Sequence, residues 1–268
     1  MAKDIIIALI TVSSVGLIAG ILLAIVSHLF KVEENVRTAK IRACMPGANC
    51  GACGYRGCDD YAEAISEGSA APNLCIPGGE VTVAELSEIL GIEIEKTAQI
   101  TAFVHCNGNC EATEMKALYN GINSCKAASM IYGGPQTCVY GCLGFGDCAK
   151  VCPSSLICIK DGIAHIDTEN CLGCGVCVKT CPKHIISLVP KKRSAVVMCS
   201  NSDKGADARK ACSNACIGCK KCEKSCEFGA IAVVNNIAKI DYEKCSGCGK
   251  CVSNCPTSCI KELFADLT

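Results

Sequence analysis

The run Cys171-Leu-Gly-Cys174-Gly-Val-Cys177-Val-Lys-Thr-Cys181-Pro182 has the spacing C-x2-C-x2-C-x3-C-P, the cysteine pattern that holds a [4Fe-4S] cluster. It recurs in full at Cys245, Cys248, Cys251, Cys255 and Pro256, and with Glu227 in place of the proline at Cys216, Cys219, Cys222 and Cys226. A fourth run, Cys142, Cys148, Cys152 and Pro153, lacks one ligand because Phe145 stands in its place. Three thiolates on one loop can cap three irons of a cube only if the chain turns back every few residues, and Gly173 and Gly175 permit that turn. The fourth cysteine lies too far along to join the same cube and ligates a neighbouring one where two clusters share a domain. Motifs therefore come in pairs. Zinc would instead draw two C-x2-4-C pairs into one tetrahedral set, and four in-register runs of the iron–sulfur type favour clusters over zinc and over disulfides.

With ligands exchanged in this way, Cys216, Cys219, Cys222 and Cys255 hold one cube, and Cys226, Cys245, Cys248 and Cys251 hold another. Cys152, Cys171, Cys174 and Cys177 make a third set. Cys142, Cys148 and Cys181 lack a fourth ligand, for which Cys138 is the nearest substitute in the chain, a three-iron cluster being the other outcome.

A second kind of site opens at Pro46-Gly-Ala-Asn-Cys50-Gly-Ala-Cys53-Gly-Tyr-Arg-Gly-Cys58, a C-x2-C-x4-C spacing closed by Cys75 after 16 intervening residues. Asp59 to Glu67 is predicted to be a helix with Tyr61, Ala64 and Ile65 inward, stopping at Gly68 and returning Cys75 to the loop; zinc is the competing occupant. Thr82-Val-Ala-Glu85 reads as a capping box that starts a helix over Val83 to Leu90, ended by Gly91.

The elements that position these sites are read from composition and repetition. Of 268 residues, 28 are cysteine, five are Phe and none is Trp, so large core residues are scarce and inorganic clusters are the natural staples. Such cysteine density without a disulfide pattern implies a reducing compartment. The 26 basic and 26 acidic residues balance, so nothing argues for nucleic acid. Lys179, Lys183, Lys220, Lys221 and Lys250 flank the motifs, as solvated surface or as docking for an acidic partner.

From Ile5 to Phe30 no residue is charged, and as a helix this run would be about 39 Å long, enough for a bilayer core of about 30 Å. It is predicted to span a membrane. Lys3 precedes it while Lys31, Arg37, Lys40 and Arg42 follow, which places the large C-terminal part on the cytoplasmic side. Gly16 and Gly20 offer a small-residue face for another helix. Residues 31 to 42 read as a charged linker.

Beyond residue 101 the chain repeats at an offset of 74, pairing Cys125 with Cys199, Cys138 with Cys212 and every later motif cysteine with its counterpart. Two tandem domains follow. The matching linkers at 162 to 167 and 236 to 241 each suit a short strand, expected to pair around Ile185 to Val189 or Ile260 to Leu263. The local text Val104-His-Cys106 against Val197-Met-Cys199 argues for a different register. A further cluster drawing on Cys106, Cys110, Cys125 and Cys138 competes with buried structural thiols, and Cys199 and Cys212 stay unassigned. Cys44, Cys158 and Cys259 lie outside every pattern and are expected not to be ligands.

The resulting architecture is α+β and multidomain: an anchor over 1–31, a small helical [4Fe-4S] domain over 32–100, and two ferredoxin-like 2[4Fe-4S] domains over 101–190 and 191–268. An anchor, a C-x2-C-x4-C-x16-C site and tandem ferredoxin motifs in this order resemble the B subunits of Rnf complexes, membrane-bound ferredoxin:NAD oxidoreductases that pump sodium ions or protons. The stretch at 46 to 58 is the most specific part of the likeness. The resemblance implies at least five [4Fe-4S] clusters, electrons taken from soluble reduced ferredoxin, and relay to NAD- or flavin-binding and integral membrane partners. No G-x-G-x-x-G after a strand, P-loop or acid–base constellation is present, and His105, His165 and His184 are scattered. Other readings are a membrane-anchored polyferredoxin serving a hydrogenase or another dehydrogenase, and a cluster storage or assembly scaffold.

Overall fold

Strands in this chain are four or five residues long, too short to stand without a partner and a packed face. The computed structural model describes residues 2–29, 35–94 and 99–264.

The first helix, α1, runs over Ala2–Leu29, and its described apolar side chains, Ile6, Leu17 and Leu23 among them, are exposed. Counted over the described residues, no helix is long and apolar enough to cross a membrane. The predicted span therefore rests on the sequence run alone, and Phe30, Lys31 and the start of the charged linker lie outside the described residues.

Three helices follow: α2 (Val36–Ala43), α3 (Cys58–Ser66) and α4 (Gly79–Leu90). They close around Ile41, Tyr61, Ala62, Ile65 and Leu86. As predicted, α3 turns Tyr61, Ala64 and Ile65 inward, and Gly68 ends it at φ +76°. The start of α4 differs from the capping-box reading. Gly79, at φ +57°, opens the helix ahead of Thr82, whose Oγ1 donates to the Cys44 carbonyl at 2.9 Å and ties α4 to the end of α2. Gly91 closes α4 in the left-handed conformation, its N–H donating to the Ser87 carbonyl.

Each ferredoxin-like copy consists of two antiparallel ribbons with short helices between them. The first copy holds β1 (Ile100–Val104), α5 (Cys125–Ser129), α6 (Asp147–Lys150), β2 (Ile157–Lys160), β3 (Ile163–Ile166), α7 (Val176–Thr180) and β4 (Ile186–Pro190). The second holds β5 (Ser194–Val197), α8 (Gly205–Ala211), α9 (Lys221–Ser225), β6 (Ile231–Val234), β7 (Ile237–Ile240), α10 (Lys250–Ser253) and β8 (Ile260–Leu263). The predicted strands β3 and β7 form, but with other partners. β3 pairs with β2 and β7 with β6, while β4 and β8 return to the first strand of their copy, β1 and β5. The turns decide this: Asp161-Gly162 and Asn235-Asn236 all have positive φ, which closes a two-residue hairpin.

The hairpins set the register between copies. β1 and β5 are equivalent, so Cys106 corresponds to Cys199, as the local text suggested. From Cys142 onward the 74-residue offset holds. The first copy therefore carries nineteen extra residues between these two regions, and Cys125 lies in them. Across the junction Val189, Val196 and Leu263 pack together. His105 Nδ1–H donates to the Val197 carbonyl, and its Nε2 accepts from Ser187 Oγ, each at 2.6 Å. Burial holds the His105 pKa below its usual value, consistent with a neutral ring in that tautomer.

Candidate metal centres

The loop before each short helix is built on glycines that bring cysteines against a strand. A Cβ on Gly173 would lie 2.6 Å from the Ile100 carbonyl oxygen, and one on Gly247 would lie 2.7 Å from that of Arg193. Only glycine lets the loop sit this close. The consequence is four thiols around a small apolar void, repeated through the chain.

Cys152, Cys171, Cys174 and Cys177 line a void of about 390 Å³, and Cys226, Cys245, Cys248 and Cys251 line one of about 360 Å³. Cys222 feels the charges of Cys216, Cys219 and Cys255, and Cys75 those of Cys58, Cys50 and Cys53. Beside Cys142, Cys148 and Cys181 the structure brings Cys125, and not Cys138, to a pocket of about 350 Å³, its solvent-open mouth included. Cys138 lies elsewhere, on a fourth void of about 340 Å³ that it shares with Cys106, Cys199 and Cys212.

Cys125 reaches its place because the extra nineteen residues fold back over the loop. Asp147 accepts hydrogen bonds from Ser124 Oγ at 2.8 Å and the Lys126 N–H at 3.1 Å, seating the start of α5 beside the Cys148 helix. Phe145 turns away and packs edge-on against Tyr119, ring centres 5.4 Å apart. Cys110 and Cys158 are exposed and join no set, and the Cys44 thiol donates to the Lys40 carbonyl. Cys259, also expected outside the sites, is buried with its sulfur 3.7 Å from that of Cys255 and lies near Cys216. Its thiol keeps the proton, while Cys255 is held down to about 5 and Cys216 to about 6.

Backbone N–H groups point at the sulfurs. Ala102 and Gly173 donate to Cys171, Leu156 to Cys152 and Ala230 to Cys226, at 3.3 to 3.4 Å. Such donors favour the thiolate and tune a bound cluster. Burial works the other way, pushing Cys148 up to about 12 and Cys177, Cys222 and Cys251 up to about 11. Thiols so placed give up their protons only to a metal that replaces them. A lone zinc needs all its sulfurs within about 2.3 Å of one point, and among the described residues no group of three or more His, Cys, Asp or Glu is set to hold a single ion. Four thiols spaced around a void fit a cube.

Cys75 depends on one hydroxyl. Tyr61 Oη donates to the Ala71 carbonyl at 2.7 Å and accepts from the Leu74 N–H at 3.0 Å, fixing the segment that brings Cys75 back to Cys50, Cys53 and Cys58. Tyr61→Phe leaves both backbone groups unpaired, at a cost of about 1–3 kcal/mol. The expected result is a lower denaturation midpoint and faster iron release to a chelator from this site than from the ferredoxin-like copies.

Comparison with known proteins agrees with the geometry. Residues 45–77 match a family described as "Putative Fe-S cluster", 164–187 a "4Fe-4S binding domain" and 215–259 a "4Fe-4S dicluster domain". The chain is 46% identical over 246 residues to the B subunit of the Na(+)-translocating ferredoxin:NAD(+) oxidoreductase complex of Acetobacterium woodii, covering 91% of this chain and 74% of that one. It is 36% identical to the B subunit of the ion-translocating oxidoreductase complex of Methanosarcina acetivorans, covering 97% and 99%. With the B subunit of the proton-translocating ferredoxin:NAD(+) oxidoreductase complex of Clostridium ljungdahlii the identity is 38%, over 91% and 86%. Likeness of this extent shows that the chain belongs to the B subunits of the ion-translocating ferredoxin:NAD(+) oxidoreductase complexes.

Proposed function

We propose that this chain is the electron-relay subunit of such a complex, taking electrons from soluble reduced ferredoxin and passing them to membrane and NAD- or flavin-binding partners. A bound [4Fe-4S] cube supplies one-electron chemistry at a potential set by hydrogen bonds, charge and solvent exposure. The chain's own part is to hold the cubes, keep water from them and line them up. Five are held by Cys50, Cys53, Cys58 and Cys75; by Cys152, Cys171, Cys174 and Cys177; by Cys125, Cys142, Cys148 and Cys181; by Cys216, Cys219, Cys222 and Cys255; and by Cys226, Cys245, Cys248 and Cys251.

The observation that carries this reading is the contiguity of the sets. Cys50 acts electrostatically on Cys174, and Cys177 on Cys148, so the N-terminal set, the first-copy set and its neighbour form a row. At the far end Cys219 and Cys248 are exposed, which suits arrival of a soluble partner there. Lys220 and Lys221 flank that end, whereas Lys183 is occupied by the Gly133 and Val139 carbonyls and is no docking residue.

The division into an anchor, a helical domain and two ferredoxin-like domains belongs to the same proposal. Its anchor is supported by the uncharged run from Ile5 to Phe30 and by the exposed apolar side chains of α1, which a bilayer would cover. Basic residues after the run favour a cytoplasmic C-terminal part.

The test is Cys174→Ser in the assembled complex. Ferredoxin-dependent NAD reduction falls at least tenfold and iron per chain drops by up to about four, while the variant chain still assembles with its partners. Unchanged iron in that variant would overturn the ligand assignment.

A further inference from the structure

We infer that Cys106, Cys138, Cys199 and Cys212 hold a further [4Fe-4S] cluster, shared between the two ferredoxin-like copies and joining the clusters of one to those of the other. This rests on the iron–sulfur reading above and extends it to a site that no single motif encodes. Each copy contributes two thiols, from equivalent places. Cys106 and Cys199 each follow the first strand of their copy by two residues, and Cys138 and Cys212 each precede the next motif by four.

The local geometry is also duplicated. Cys106 Sγ accepts from the N–H of Gly108 at 3.4 Å and of Cys142 at 3.3 Å, and Cys199 Sγ accepts from Asn201 at 3.4 Å and Cys216 at 3.3 Å. Two equivalent loops, one from each copy, therefore bring their thiols to one space. All four are free cysteines.

Size and surroundings select the occupant. The space among the four thiols, its solvent-open mouth included, is about 340 Å³, against about 350 to 390 Å³ counted the same way at three of the sets proposed above, a likeness that favours the same kind of occupant. A single zinc would require the sulfurs to close to within about 2.3 Å of one centre. Among the described residues no charged side chain lines this space. Asn201, 1% exposed, directs its amide N–H at Cys138 Sγ at 3.7 Å. Gln136 lines the void too, and its buried Oε1 has no hydrogen-bond partner among the described residues. Oxygen and nitrogen of an amide are interchangeable by a flip, and with the NH₂ turned inward Gln136 would offer a donor to a cluster held there. On assembly the four thiols release their protons as iron replaces them.

The position gives the site its use. Cys142 belongs to a proposed set of the first copy and Cys216 to one of the second, and each bonds through its own N–H to a ligand of the shared cluster. One peptide group thus separates this cluster from its neighbour on either side.

Iron, acid-labile sulfide and zinc counted per chain in anaerobically purified full-length protein test the inference. The expected result is about 24 irons and 24 sulfides, six cubes instead of five. Cys138→Ala and Cys212→Ala, one in each copy, each lose about four irons. The double variant loses no more than either, and all remove the same signal from the low-temperature electron paramagnetic resonance spectrum of the reduced protein. Cys110→Ala changes nothing. About 20 irons in the wild type with none lost from the variants, or one zinc that disappears with Cys138→Ala, overturns the shared cluster and leaves the five-cluster relay standing. Protein without iron overturns both. Should a variant fail to fold, the wild-type count decides by itself.

Discussion

Cys125→Ala is expected to remove about four irons per chain, and Phe145→Cys added to the same chain is expected to restore them. The two loops explain why. Phe145 and Cys219 occupy the same motif position, with Gly144 at φ +75° matching Gly218 at +63°, and Gly146 at +76° matching Lys220 at +59°. A Cβ on Gly144 would strike the Gly162 carbonyl at 2.6 Å, and one on Gly218 the Asn236 carbonyl at 2.9 Å. The backbone at 145 therefore launches its side chain from the same place as the backbone at 219. A thiol there would face the space that Cys142, Cys148 and Cys181 line, whereas the aromatic ring packs against Tyr119 and leaves the fourth place beside them to Cys125. Cys138→Ala is not equivalent: it removes a different cube, so the Cys125, Cys138 double variant loses about eight irons. Iron that is indifferent to Cys125→Ala, or a single variant without rescue by Phe145→Cys, would refute the substitution of one ligand for the other.

That ligand also shows where sequence reading stops. Motifs whose ligands lie within a few residues of each other are legible because spacing alone fixes their geometry, and α3 with Tyr61 and Ile65 inward is legible for the same reason. Distance along the chain selects Cys138 as the substitute ligand; distance in the fold selects Cys125, carried back by nineteen residues that the other copy lacks. The gapless register and the local text around Cys106 each hold on one side of that insertion, and neither alone reveals the shared site. Strand partners were hidden differently. Alternation of apolar residues marks a strand without naming its neighbour, and the signal was in the turns, where Asp161-Gly162 and Asn235-Asn236 suit a hairpin. At Thr82 a capping signature lost to a glycine pair just upstream, because a tertiary bond to Cys44 uses the hydroxyl that would have capped.

Stripping the iron is expected to unfold both ferredoxin-like copies while the helical unit around Tyr61 keeps much of its helix. The cores of the two copies are cysteine and small aliphatic residues: Cys142, Cys148 and Cys177 with Ile157, Ile163 and Ile185 in one, and Cys216 and Cys222 with Val197, Ile231 and Ile260 in the other. No Trp fills them, and each sheet is a two-stranded ribbon, an arrangement marginal by itself in water. The helical unit instead buries Ile41, Tyr61 and Leu86 among three helices. Metal binding in small metal-folded domains is worth on the order of 10 kcal/mol, comparable to the whole stability of an ordinary domain, so what remains without it is near zero. Cys148 and Cys222 left without metal are protonated, as their raised pKa values require, and free thiols, whatever their protonation, cannot link the two ribbons. Anaerobic chelation with a thiol reductant present, followed by hydrogen exchange, reads the result directly. Amides of Val196 and Ala232, slow in the loaded protein, exchange at unfolded rates in the stripped one. Slow exchange that survives at those two positions would mean that the polypeptide, and not its clusters, holds the copies together.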